Sequence, residues 1–394
     1  MNSVCILGRQ PALGLAELES LYGATALTSI TDHVVGLDVP FEQVDFNRLG
    51  GSTRLAEVVA TVPSKLWKDV EKQLAKAIVE LARTMPEGKL QVGLSTYGIP
   101  ITPAKLSASG LTLKKILRGR TDRSVRLTPN PELELNTAQV AHNHLTGPTG
   151  VEMLVIATPD GKTVLARTRN VQDIDSYTLR DRGRPKRDAR VGMLPPKLAQ
   201  IIINLAAGSA NPSDLTVLDP FCGTGVILQE AGLMGAKVYG TDLVPRMLEY
   251  SEKNLLWLQE KYGTAFSVTI ERGDATTHDW QPGVTTVAAE TYLGRPFTER
   301  PSHEVLAQTI SEVNLILKRF LTHIATQLPA GSRLCLGVPA WQIGPNQFKH
   351  LPLIDQMSNL GYNQVRFEHV SENQLLYYRE DQIVARQLLV VTRK

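Results

Sequence analysis

Residues 217–225 read VLDPFCGTG: an apolar run ends on an acid, Asp219, and leads into a short loop with two glycines. Glycine loops that follow a strand usually hold phosphate through their backbone N–H groups. Here the loop opens on a carboxylate and carries no lysine. A nucleoside triphosphate loop would need GxxxxGK(S/T) spacing, and a dinucleotide loop a third glycine that CGTGVI lacks. A carboxylate repels pyrophosphate and attracts a cation. S-adenosylmethionine, with a sulfonium and an ammonium charge, therefore suits Asp219 better than a nucleotide phosphate does. Pro220, Cys222, Gly223 and Gly225 form the expected lining, the glycines letting the backbone approach the methionyl part closely.

Two further acids extend the pattern. Asp242 ends VYGTD, roughly 20 residues on, where a carboxylate accepts hydrogen bonds from ribose hydroxyls. Asp274, followed by Ala275 in GDA, is expected to accept from an adenine amino group. Any one of these acids could equally be a helix cap. Three at successive strand ends, one beside a glycine loop, favour the cofactor. Cys222 has no nearby histidine in sequence and reads as a small loop residue, not a nucleophile. Cys5, Cys222 and Cys335 form no CxxC pair, so neither a disulfide framework nor a metal site is expected.

The elements that must position these residues follow from periodicity. SVCILG, VVGLDV and LAEVVATVP read as strands, and ALGLAELESLYG and SKLWKDVEKQLAKAIVELARTMPEG as helices, so the first part is of α+β type. The stretch from 168 to 192 is polar, charged and broken by prolines, as a linker is. Beyond it, PKLAQIIINLAAG, LTVLD, VILQEAGLMG, AKVYGTD, PRMLEYSEKNLLWLQEKYG, FSVTIERGD, TTVAAE, a helix over about 302–327 and SRLCLGV alternate helix and strand. This alternation predicts an α/β, doubly wound parallel sheet. YNQVRFEHV and VARQLLVVTRK are expected to pair as an antiparallel edge.

A length of 394 residues favours two or three domains. With 42% hydrophobic and 21% charged residues the chain is of globular composition, and a net charge of +3 does not by itself indicate nucleic acid. The N-terminus MNSVCILGRQ lacks the start of a signal peptide and no membrane span is evident, so a cytoplasmic location is expected.

DPFCGTG followed by a helix containing Glu230-Ala231 resembles the family of RNA methylases that includes the archaeal and eukaryotic tRNA guanosine N2-methyltransferases. RDRGRPKRDARVGMLPPKLAQIIINLA is similar to the segment leading into their catalytic domain, and CILGRQPALGLAELESL to their opening. GLSTYG and LKKILRGRTDRSVRLTPNPELELNTAQVAHNHL resemble the THUMP domain, an RNA-binding module. The resemblance implies a ferredoxin-like α+β region over 1–60, a THUMP-like domain over 61–167, a basic linker over 168–192 and a Rossmann-like S-adenosylmethionine-dependent methyltransferase domain over 193–394. It implies tRNA as partner and transfer of a methyl group to the exocyclic N2 amine of a guanosine.

Family members place Asn/Asp-Pro-Pro-Tyr/Phe after the fourth strand, where the side chain and a carbonyl accept the amine hydrogens and the ring stacks on a flipped base. This chain has Glu290-Thr291-Tyr292-Leu293-Gly294 instead, with neither proline. By resemblance, Glu290 accepts from the target amine and Tyr292 stacks, whereas a helix cap and a packing ring are the structural alternative. Lys114, Lys115, Arg118, Arg120, Arg123 and Arg126 crowd beside the THUMP-like motif and are expected at RNA phosphates, as are Arg184, Lys186 and Arg187, with Arg180, Arg182 and Arg190 nearby. A solvated charged face is the plain alternative. The altered acceptor loop leaves two other functions open: methylation of another nucleic-acid amine, in rRNA or DNA, and a non-catalytic RNA-binding relative.

Overall fold

In the computed structural model, residues 1–188, 193–297, 299–380 and 382–394 are described. They form two units: Met1–Pro11, Thr25–Asn47 and Ser52–Ser176 in the first, and Ala12–Ala24, Arg48–Gly51 and Tyr177–Lys394 in the second. Among them no helix is long and apolar enough to cross a membrane.

The first unit is built on one sheet of β1 (Ser3–Leu7), β2 (Leu27–Thr31), β3 (Val34–Leu37), β4 (Ser52–Val62), β5 (Leu90–Tyr97), β6 (Val125–Leu127), β7 (Gly150–Ala157) and β8 (Thr163–Val171). Their order is β2-β3-β1-β4-β8-β7-β5-β6. Helices α2 (Trp67–Thr84) and α3 (Pro103–Thr121) cover one face, and α4 (Thr137–His142) follows β6 in the chain. α2 buries Val70, Leu74, Ile78 and Ala82, one helical stripe, in a cluster with Val92, Met153 and Leu165 of the sheet. The opposite face holds a buried ion pair: Arg54 Nη1 lies 3.0 Å from Glu152 Oε1, and Ser95 and Thr168 hydroxyls donate to the same carboxylate at 2.7 Å each.

Two expected boundaries fall inside elements. The 60/61 division lies within β4, which pairs β1 on one side and β8 on the other, so long-range ladder bonds join what the sequence separates. The expected linker holds the end of β8 and a helix, α5 (Ile174–Arg182). α1 (Pro11–Tyr22) mostly belongs to the second unit, because Leu13 and Ala16 sit in that unit's apolar core. Its Glu17 accepts from the N–H groups of Gly50 and Gly51, at 2.9 Å each, and from Asn204 Nδ2 at 2.7 Å.

The second unit has β9 (Thr216–Asp219), β10 (Lys237–Asp242), β11 (Val268–Arg272), β12 (Thr286–Glu290), β13 (Arg333–Gly344), β14 (Gln347–Lys349), β15 (Tyr362–Gln364), β16 (Leu376–Tyr377) and β17 (Val384–Arg393). The main path runs β11-β10-β9-β12-β13-β17-β15. β9 to β13 are parallel, whereas β17 is antiparallel to both β13 and β15, as the edge reading expected. Helices α6 (Pro196–Ala207), α7 (Val226–Leu233), α8 (Pro245–Tyr262) and α9 (His303–Ile324) complete it. α6 and α7 pack against Val217, Ala288 and Cys335, and α9 packs Val313, Leu317 and Phe320 against Leu218, Val287 and Leu336, which assigns helices to both faces.

Candidate functional site

From β9 the chain winds through β10 and β11 to one edge and then returns to β12 on the other side, so the β9/β12 junction is the point where the order reverses. Ligands of doubly wound sheets bind beyond the carboxyl ends of the strands at such a point. Asp219, Asp242 and Glu290 end β9, β10 and β12, and Asp274 follows β11 by one glycine. Along the sheet their order is Asp274, Asp242, Asp219, Glu290.

Hydrogen bonds from the neighbouring strand and helix hold the glycine loop in shape. Cys222 N donates to Thr241 O at 3.0 Å, and Gly223 N to Asp242 Oδ2 at 3.0 Å. Gly223 and Gly225 have φ of +53° and +81°, the left-handed region open to glycine. A Cβ on Gly225 would also stand 2.9 Å from Ser251 Oγ, which donates to Gly223 O at 2.8 Å. Asn254 on α8 donates to Thr224 O and to Lys186 O, each at 2.9 Å, and accepts from Lys186 N at 2.9 Å. One side chain thus ties the 186 segment to the loop.

Asp219 is buried, accepting from Phe221 N at 3.1 Å; burial pushes its pKa well above the usual carboxylate range, and nearby Asp242 and Glu290 push it the same way. Burial also raises Asp242, against the bonds from Val244 N at 2.9 Å and Gly223 N. Asp274 is lowered, because its Oδ1 accepts from both the N–H and the hydroxyl of Thr276 at 2.8 Å. Cys222 is buried and its thiol pushed up, which leaves it a thiol at neutral pH. Pro220 and Ala275 flank Asp219 and Asp274, Ala275 being buried.

Glu290 Oε1 accepts from Arg386 Nε at 2.7 Å, with the two side chains 17% and 6% exposed. Thr291 is buried, and both its N–H and its hydroxyl donate to Gly337 O, at 3.0 and 3.1 Å. These bonds anchor the turn that lacks prolines. Tyr292 follows at 42% exposure, its ring open to solvent. Sequence reasoning missed Arg386, Ser251 and Asn254. A single arginine inside the apolar run VARQLLVV was the available signal for the first. Leu243 and Val244, exposed next to Asp242, were missed as well.

The expected RNA contacts divide. Lys115, Arg118 and Arg120 on α3 and Arg126 on β6 are exposed, and Lys114 is half-buried. Arg123 instead donates to the carbonyls of Ala82, Gly88 and Pro86 at 2.8, 2.9 and 2.5 Å, closing the end of α2. Arg184 is 3% exposed, so its guanidinium is not presented to a phosphate. Lys186 places its ammonium 5.3 Å from the Tyr250 ring, and Arg187 is exposed. Arg180 pairs with buried Glu230 at 2.7 Å and stacks 4.5 Å over Tyr177, while Arg182 is exposed. Arg190 lies outside the described residues.

A family model described as the UPF0020, RMKL-like methyltransferase domain matches residues 184–313. The tRNA (guanine(10)-N2)-dimethyltransferase of Methanothermobacter thermautotrophicus is 35% identical over 150 residues, 38% of this chain and 39% of that protein. The Pyrococcus abyssi enzyme of the same name is 45% identical over 83 residues, 21% of this chain and 22% of that one. The chain therefore spans well under half the length of these relatives. The crystal structure of TrmN from Thermus thermophilus is similar in fold, with a TM-score of 0.51 at 18% identity over 100% of this chain and 99% of that one.

Proposed function

We propose that the chain is an S-adenosylmethionine-dependent methyltransferase that modifies the exocyclic N2 amine of a guanosine in tRNA. The observation that carries this reading is the row of Asp274, Asp242, Asp219 and Glu290 at consecutive carboxyl ends, with the glycine loop beside Asp219. The relatives named for tRNA (guanine(10)-N2) dimethylation support the substrate class.

The residues fit the cofactor by their charge. Asp219 is buried among acids, and a cationic ligand would relieve what burial and like charge cost its ionised form. When bound, S-adenosylmethionine supplies a methyl group on a cationic sulfonium. Gly223 and Gly225 give backbone access without side chains. Asp242 keeps a lone pair on each oxygen beyond its two N–H bonds, as ribose hydroxyls require. Asp274 directs one oxygen to Thr276 and keeps the other for an adenine amino group. Leu243 and Val244 offer apolar surface beside Asp242.

On the acceptor side, the lone pair of a base amine is delocalised and a poor nucleophile. Glu290 accepts one amine hydrogen, concentrating density on nitrogen and taking the proton as the methyl arrives; Arg386 fixes its carboxylate through Oε1 and leaves Oε2 for the substrate. Tyr292 stacks on the flipped base, and Thr291 sets the spacing between the two. The exposed cations of α3 and β6 hold RNA phosphates.

Transfer of labelled methyl groups from S-adenosylmethionine to bulk tRNA from cells lacking this protein, followed by nucleoside analysis, tests the reading. Label in N2-methylguanosine or its dimethyl form is the expected result. Label in another base would reassign the acceptor, and cofactor binding without transfer would leave a non-catalytic RNA binder.

A further inference from the structure

Arg167 and Arg169 stand two apart on β8. With Thr146, Gly147, Pro148 and Thr168 they line a cavity of about 330 Å³ within the first unit. Arg167 is half-buried; its Nη2 reaches Gly150 O at a long 3.5 Å, and its Nε is buried with no hydrogen-bond partner. Arg169 lies 3.5 Å from Glu57 and 4.6 Å over the Phe41 ring. Glu57 is also the ladder partner of Arg167, so one acid faces two guanidinium groups.

Burial disfavours the charge on Arg167, the neighbouring Arg169 adds to this and Glu57 opposes it. Two like charges sharing the single acid Glu57 in a partly buried cavity are costly unless a further anion completes the set. Guanidinium groups fit tetrahedral oxyanions through paired N–H donors, and Arg167 and Arg169 both line this cavity. The volume is at the small end for ligand sites, suited to a phosphate with its sugar and not to a large cofactor. Arg169 remains 35% exposed, which leaves the cavity open on one side, as a group within a continuing polymer needs.

We propose that the Arg167/Arg169 cavity binds a backbone phosphate of RNA, separately from the cations of α3 and β6. This rests on the reading of the chain as an enzyme acting on tRNA. The full chain, with Arg167→Gln, Arg169→Gln and Arg167→Lys variants, would be titrated against a labelled tRNA transcript at several salt concentrations. Melting temperature would be measured with and without inorganic phosphate. Each glutamine variant should bind RNA about tenfold more weakly, with the slope of log K against log salt reduced by about 1. Arg167→Lys should recover the slope but not the whole affinity, and transfer should show a raised KM for RNA with kcat unchanged. Inorganic phosphate should raise the melting temperature of the wild type and of neither glutamine variant.

Glutamine variants that melt like the wild type yet keep its RNA affinity and salt slope would overturn the proposal. If they lost only the phosphate-induced stabilisation, the ligand would be a free phosphate and the RNA assignment would fall. A wild-type chain that binds no tRNA would overturn both readings. One that methylates tRNA equally well with and without Arg167 would overturn the cavity alone.

Discussion

At the residue scale, the roles proposed for Glu290 and Asp219 differ, and so do their surroundings. Glu290 has a fixed cationic partner in Arg386, whereas Asp219 is buried among acids. Glu290→Gln should lower kcat for methyl transfer by about 10²–10⁴-fold with cofactor affinity unchanged, and an alanine variant with full activity would remove the residue from the mechanism. Asp219→Asn should weaken S-adenosylmethionine about ten- to a hundredfold in calorimetry, the worth of a charged contact. Affinity of the wild type for this cation should also rise with pH, because Asp219 is pushed up and binding draws on its ionised form. An asparagine variant with the same pH profile would contradict that origin.

At the scale of elements, the glycine loop and α1 depend on contacts far apart in sequence. Gly225→Ala must hold alanine at φ +81° with its Cβ 2.9 Å from Ser251 Oγ. Left-handed backbone alone costs about 1–2 kcal/mol, so the variant should melt earlier and bind S-adenosylhomocysteine more weakly. Glu17 on α1 ties the Gly50-Gly51 turn to Asn204, and burial raises its pKa to about 7 against the opposing hydrogen bonds. The folded protein then binds more protons than the unfolded chain above pH 4.5. The contribution of Glu17 to stability is thus fully present below that value and lost as pH rises through about 7. Glu17→Gln should flatten the denaturant midpoint across this window, and an unchanged pH profile would show that another group governs it.

At the scale of the whole molecule, net charge is small and the distribution matters. Replacing exposed Lys115, Arg118, Arg120 and Arg126 together by glutamine should weaken tRNA binding and shallow its salt dependence, by up to about 0.9 in slope for each phosphate lost. Arg123→Ala belongs to a different class. It removes the contacts with the Ala82, Met85, Pro86 and Gly88 carbonyls that close the end of α2 and should lower the melting temperature with little change in salt slope. Equal slopes for the quadruple variant and the wild type would move the RNA contacts elsewhere.

The doubly wound sheet was legible in sequence because its central strands are buried on both faces and read as continuous apolar runs such as VLD, VYG and VAA, each followed by a helix. That alternation alone places Asp219, Asp242 and Asp274 at carboxyl ends, since parallel strands joined by helices all point one way. Periodicity reports local burial and says nothing of partners distant in the chain. Tertiary structure alone therefore decided that β4 joins residues on both sides of position 60, that α1 serves the second unit and that Arg386 meets Glu290. It also turned Arg123 and Arg184 inward, because a cation looks the same in sequence whether it faces water, a helix end or the interior.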